Sequence, residues 1–422
     1  MNSKLLISIP FIFLFFSPPL AYFISLVFLI ILSQYKVVDK KKYFILLGSI
    51  TLVSLFLIIS SYELFLYKED DFTNYYNNYL DFLNKGLVFS NFEYGFGFEI
   101  GVPLLNYILS LLISENVPYI VYALHSTILL GLLTYIVYLI SKYYLLDLNK
   151  SILLFVFIIV LYKYGMAMNQ LRQAYASLFI LIALFNPKHR YIYIIIAILF
   201  HLSSLIIYPL ISFLLLSTSI RKLKLFSIFS ILVALGLYSF INLNFDIIIS
   251  TENILLNKIK LFILLAQQSE SFIEMLPLSE VLYLLLLIIL HRFIIIYYKI
   301  DNKSYWNLYS IFIFTIVFSF LYGISLRILS AIFTFLLGFL FFRYLLIEIK
   351  VKQAYLFVLI FIILFQIKFT FYNQLYFKNY PLASSVPLYY IPHFFNTSDY
   401  IDREGLPSRK DLNIKKRIEE IL

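Results

Sequence analysis

The chain contains no cysteine, which excludes both a disulfide framework and a thiolate metal site. Charge is scarce as well. Asp, Glu, Lys and Arg together make up 13% of its 422 residues, about half of what a soluble globular chain carries. Eleven Gly and 12 Pro are too few for a long flexible linker. Neither a Gly-rich phosphate loop nor a nucleophile elbow occurs. The five histidines, His125, His189, His201, His291 and His393, lack metal-ligand spacing, so neither a metal nor any other cofactor is expected. No internal repeat stands out, which weighs against a transporter built from inverted halves. What remains is hydrophobic: 62% of the residues, in long apolar runs separated by short basic clusters. That pattern predicts an all-α, polytopic integral membrane protein with about 11–13 membrane segments, some of them short or re-entrant. The net charge of +10 sits in those clusters and reads as topology, so the partner it implies is the bilayer and not nucleic acid.

The clusters are Lys40-Lys41-Lys42, Lys142 to Lys150, Lys188-His189-Arg190, Arg221 to Lys224, Lys299 to Lys303 and Lys350-Val351-Lys352. Placing all of them in the cytoplasm gives a consistent map. The first run, Leu5 to Leu32, is broken by Ser17-Pro18-Pro19 and reads as a kinked helix or two short ones. It carries no cleavage pattern of small residues and so reads as part of the membrane domain. Tyr43 to Ser60 crosses outward, followed by a polar external loop, 63–99. Gly101 to Ser114 is too short to span and is expected to be re-entrant or interfacial. Val117 to Ile140, Ser151 to Leu161 and Leu171 to Phe185 follow. Basic clusters flank the run Tyr191 to Leu216 on both sides, so two half-length segments turning near His201 are expected there. Five more spans, a second external loop at 242–277 and a periplasmic, partly interfacial tail from 372 complete a single membrane domain, 1–371.

Ionisable side chains are costly inside a bilayer, and that singles out a few residues. Arg172, in Asn169-Gln170-Leu171-Arg172-Gln173, stands at the external mouth of a span, and its planar fork suits phosphate oxygens. Gln173 and Gln170 add donors and acceptors in the same turn. Arg327, in Leu326-Arg327, ends a span on the same side of this map. Two arginines so placed would hold a diphosphate leaving group without a metal; singly, each would serve as an interfacial anchor. His201 lies deep in an apolar run with no adjacent Lys or Arg, where an imidazole can move a proton or fix a hydroxyl. The first external loop interleaves acids and aromatics. Asp71 and Glu93 are candidates for deprotonating or positioning an acceptor hydroxyl, and Asp70, Tyr75, Tyr94 and Glu99, with Gln170 from the later turn, for holding a sugar.

Taken in order, Asp71-x-x-Asn74-Tyr75, Phe92-Glu93-Tyr94-Gly95, Leu104-Leu105-Asn106, Leu171-Arg172-Gln173-x-x-Ala176, Phe200-His201-x-Ser203 and Arg327 resemble the EpsG-like branch of bacterial polysaccharide polymerases, the group that includes the O-antigen polymerases (Wzy). The likeness covers most of Tyr43 to Leu345. Where an Arg often precedes the first acidic loop in that family, this chain reads Ser61-Tyr62-Glu63. The resemblance implies a metal-independent glycosyltransferase of the bacterial inner membrane, with its active site facing the periplasm. It would transfer a glycan chain from undecaprenyl diphosphate to the non-reducing end of another lipid-linked repeat unit. Arg172 and Arg327 would hold the diphosphate, and His201 would assist proton transfer. A chain-length regulator and a flippase of the same pathway are its expected partners. The alternatives are a flippase of lipid-linked oligosaccharides, an O-antigen ligase, or a glycosyltransferase using a lipid monophosphate sugar.

Overall fold

The computed structural model describes residues 5–60, 71–88, 92, 98–113, 117–243, 276–298, 305–320, 324–347 and 354–372. Among these, every regular element is helical. In chain order the helices are α1 (Leu5–Phe16), α2 (Pro18–Gln34), α3 (Lys40–Ser60), α4 (Asp71–Lys85), α5 (Gly101–Leu112), α6 (Pro118–Tyr143), α7 (Leu148–Leu161), α8 (Tyr164–Asn169), α9 (Leu171–Phe185), α10 (Arg190–Phe200), α11 (Ser204–Leu216), α12 (Ile220–Leu243), α13 (Leu278–Tyr298), α14 (Tyr305–Val317), α15 (Ile324–Ile328), α16 (Leu337–Phe341) and α17 (Ala354–Tyr372). Two π-helical runs, Ala331–Leu336 and Phe342–Leu346, flank α16. The chain is therefore an all-α polytopic membrane protein. Four described helices, α3, α6, α12 and α13, are long and apolar enough to cross a bilayer, and α9 with α10 is a pair bent by 113°, a broken span or a re-entrant loop. Most of the others are shorter apolar helices.

The chain divides into two compact units, one drawn from Met1–Ser204 and Thr334–Leu406, the other from Leu205–Phe333 and Pro407–Leu422. Among the described residues, one boundary falls at the start of α11 and another inside a π-helical run.

In the first unit α7 is the central helix. Its sequence from Ile152 to Leu161 is apolar all round and buried all round, as a helix enclosed by others must be. Against it pack α2, α6, α16 and α17. The Tyr22 hydroxyl on α2 donates to the Ile159 carbonyl at 3.0 Å, and Ser25 shares a 2.8 Å bond with Thr51 of α3. Interhelical bonds of this kind hold membrane helices together where hydrophobicity alone does not. At Gly338, α16 lies so close to α7 that a methyl group would collide with the Phe157 carbonyl oxygen. Backbone cannot yield as a side chain can. Gly338→Ala is therefore expected to destabilise the purified protein by about 2 kcal/mol or more in thermal unfolding. Gly131→Ala, on α6 with open space around its Cα, should change little.

The Ser17 break is seen as expected. Ser17 caps α2, accepting from the Leu20 N–H, and separates two helices that the sequence runs together. Short α5 matches its expected extent closely, and α9 matches residue for residue. The span expected over Leu326 to Tyr344 is broken into α15, α16 and the two π-helical runs. Within the expected loop 63–99, residues Asp71–Lys85 form a helix that buries Phe72, Tyr75, Tyr76, Tyr79 and Phe82. Their spacing of three and four is a helical stripe. In the second unit, the Asn307 amide of α14 donates to the carbonyls of Leu214 and Ser217, at 2.7 and 3.0 Å, satisfying the end of α11.

Two side-chain bonds bring basic clusters together. Lys40 donates to Asn149 at 2.6 Å and Lys150 to the Ile347 carbonyl at 2.5 Å, so the starts of α3 and α7 share one end of the first unit.

Candidate functional site

Three chain breaks create the site. Helix α9 begins after Gln170, whose φ of −123° and ψ of 53° end α8, and this places Arg172 in the first turn of α9. At its far end, α9 is stopped by Pro187, since the residue before a proline is pushed out of helical geometry. Helix α10 then turns back at 113°. It ends in turn at His201, which is extended (φ −157°, ψ 120°), leaving the next backbone N–H, that of Leu202, outside the helix. The third break is the short segment before α5 that carries Glu99.

Glu99 joins these pieces. It is only 3% exposed, and its two carboxylate oxygens accept from three donors. Oε1 takes the His201 Nδ1 at 2.6 Å and the Leu202 N–H at 3.1 Å; Oε2 takes Nη1 of Arg172. Burial alone would push this carboxyl up. The His201 hydrogen bond, the Arg172 charge and the Leu202 N–H outweigh it and hold the group at about 2. Glu99 is thus ionised at any physiological pH, has no proton to give, and requires the shared proton to sit on His201 Nδ1. In the neutral imidazole Nε2 is then the acceptor. The Arg172 and His201 side chains remain 30% and 25% exposed while Glu99 is enclosed. The carboxylate is a fixed strut, and the two groups it holds are the ones that reach out.

A buried polar chain stands behind the site. Asn106 of α5 donates to the Tyr75 carbonyl at 2.9 Å, which fixes the orientation of its amide, and to Asn78 at 3.1 Å. Its oxygen, 3.1 Å from His125 Nε2, must therefore accept, so His125 carries its proton on Nε2. Nδ1 then accepts from the Tyr175 hydroxyl at 2.9 Å. The Tyr175 ring in turn stacks on Phe200, the residue before His201, at 4.9 Å. Phe200 also lies flat against Gly101, where an added methyl would stand 2.6 Å from its ring. Four helices, α4, α5, α6 and α9, are registered in this way against the neighbours of Glu99 and His201.

Of the residues singled out from sequence, the structure therefore brings Arg172, His201 and Glu99 into contact. Both oxygens of Glu99, expected at a sugar, are engaged by protein donors. Tyr75, expected at a sugar, is a 5% exposed core ring of α4. Gln173 is buried on α9 and Gln170 is half-buried at the α8–α9 break. Asp71 opens α4. Arg327 is exposed on α15, in the second unit. Asp70, Glu93 and Tyr94 lie outside the described residues. His125, Asn106 and Tyr175 were not anticipated, although His125, like His201, sits in an apolar run with no basic neighbour. Among the described residues no three His, Asp or Glu side chains converge as a metal site requires.

Residues 55–384, about three-quarters of the chain and including Glu99, Arg172 and His201, match the model of the EpsG family. No curated protein and no solved structure matches. The chain belongs to the EpsG family.

Proposed function

We propose that this EpsG-family protein is a polysaccharide repeat-unit polymerase, moving a glycan chain from undecaprenyl diphosphate onto the non-reducing end of another lipid-linked unit at the outer face of the bacterial inner membrane. The observation that carries the proposal is the Glu99 carboxylate binding Arg172 and His201 together. One of these groups suits a leaving diphosphate, and the other suits the hydroxyl that replaces it. In the proposed step, His201 Nε2 takes the proton of the acceptor hydroxyl as its oxygen bonds to the anomeric carbon of the donor glycan. The bond from that carbon to the diphosphate oxygen breaks, and the lipid diphosphate leaves with the electron pair. Its charge is met by Arg172, and the imidazolium formed on His201 is balanced by Glu99.

The position of the site supports the outward face. On α6, His125 is tied through Tyr175 and Phe200 to the level of His201, and Lys142 lies 17 residues further on. At 1.5 Å per residue that is about 25 Å, close to the thickness of a hydrocarbon core. The basic end is the cytoplasmic end by the charge rule, which leaves the site near the opposite surface.

Deletion of the gene followed by gel analysis of surface polysaccharide tests the proposal. A lost polymerase leaves single repeat units at the cell surface. A lost flippase leaves none, and a lost ligase leaves polymer on its lipid carrier; either result would overturn the assignment. In the complemented strain, Arg172→Lys should accumulate in the membrane yet fail to restore long chains. A point charge replaces a fork that must hold Glu99 and phosphate oxygens at once.

A further inference from the structure

Away from the site, α3, α6, α7 and the α6–α7 connection of the first unit line a half-open cavity of about 680 Å³. That volume lies within the roughly 300–1,000 Å³ that accommodates a small ligand. Its walls are apolar for most of their length, with Phe44, Gly48 and Leu52 from α3, Val137 and Tyr138 from α6 and Phe155 from α7. Lys142 lines it where α6 ends. The cavity therefore has the character of an amphiphile: a hydrocarbon trough with a cation at one end.

The charge around that end is one-sided. Residues 36–42 and 142–150 contribute Lys36, Lys40, Lys41, Lys42, Lys142 and Lys150 against only Asp39 and Asp147. The Lys40–Asn149 bond draws the starts of α3 and α7 together beside the cavity. Asp147 is occupied as the cap of α7, accepting the Lys150 N–H at 2.8 Å. Lys142 is exposed and meets no carboxylate among the described residues. An exposed lysine at the head of an apolar trough, among further lysines, complements a phosphate that carries a net negative charge. A zwitterionic headgroup would bring its own cation into the same cluster. Basic pockets between membrane helices recognise lipid phosphates in this way.

We propose that this cavity is a binding site for an anionic phospholipid, with an acyl chain along α3 and α6 and the phosphate at Lys142. It lies at the opposite end of α6 from His125, so it is separate from the proposed active site.

The test uses the purified full-length protein in a neutral detergent, titrated with phosphatidylglycerol or phosphatidylcholine and read by native mass spectrometry. Phosphatidylglycerol is expected to bind at least about five-fold more tightly, the scale of one lysine–lipid charge contact. Lys142→Gln should remove that preference and Lys142→Arg should keep it. Ser49→Trp fills the trough from α3 and should abolish phosphatidylglycerol binding, with an unchanged melting temperature in detergent alone showing that the helices are intact. Equal binding of both lipids, a preference that survives Lys142→Gln, or undiminished binding in Ser49→Trp would each overturn the proposal. So would undecaprenyl phosphate displacing phosphatidylglycerol at lower concentration, since the cavity would then belong to a substrate tail.

Discussion

Glu99→Gln is expected to lower polymerisation per folded molecule by up to about 10⁴-fold, the loss seen when the carboxylate that orients a catalytic histidine is neutralised. The variant keeps the volume of the side chain and removes its charge. Three donors, from His201, Leu202 and Arg172, would then meet an amide with one acceptor oxygen and an NH₂ group that competes with them. His201 loses the partner that fixes its proton on Nδ1, and Arg172 loses its strut. Turnover of the purified variant on lipid-linked repeat units measures the effect; a rate within ten-fold of wild type would remove Glu99 from the mechanism. The same variant has a pH signature. The folded protein holds the Glu99 carboxyl at about 2, below its ordinary value of 4.5, so the ionised group favours the folded state above that ordinary value. The stability advantage of wild type over Glu99→Gln should be constant above about pH 4.5 and shrink as pH falls toward 2. Unfolding curves of the two proteins across that interval check it, and an advantage that instead grew on acidification would contradict the ion-pair assignment.

His201→Ala carries the second large effect. General-base assistance contributes about 10²–10⁴-fold, and the Ala variant should lose that much turnover while reaching the membrane normally. His201→Gln is expected to fall between Ala and wild type. Its amide can donate to Glu99 as Nδ1 does, holding the strut in place, but it offers no nitrogen that takes a proton at neutral pH. A histidine serving only to pack would give the reverse, with less folded protein and near-normal turnover of what remains. Exposure of 25% in a side chain so well anchored argues for the first outcome.

Much of the fold was legible because its signals are local. Proline, basic clusters and the length of apolar runs located α9 to the residue, α5 nearly so, and the breaks at Ser17 and His201. Helix α4 was readable too, from Phe72, Tyr75, Tyr76, Tyr79 and Phe82, but its acids and asparagines obscured the stripe. The division into two units was not: of its boundaries among the described residues, one falls at the start of α11 and the other inside a π-helical run. Arg172 and His201 stood out because each is an ionisable group beside or inside an apolar run. The role of Glu99 could not stand out. Its partners are 73 and 102 residues away, and nothing local separates a carboxylate that binds substrate from one that binds protein. The His125 network was hidden for the same reason, its members being spread over α4, α5, α6 and α9.

The central claim is that Glu99 makes Arg172 and His201 one working unit. A double-mutant cycle on turnover tests it most directly, with Glu99→Gln, His201→Gln and the combined variant assayed as purified proteins on lipid-linked repeat units. Residues acting through each other are non-additive, so the combined variant should be no slower than the slower single variant by more than about three-fold. If the two losses instead multiply, Glu99 and His201 act independently and the unit described here does not exist.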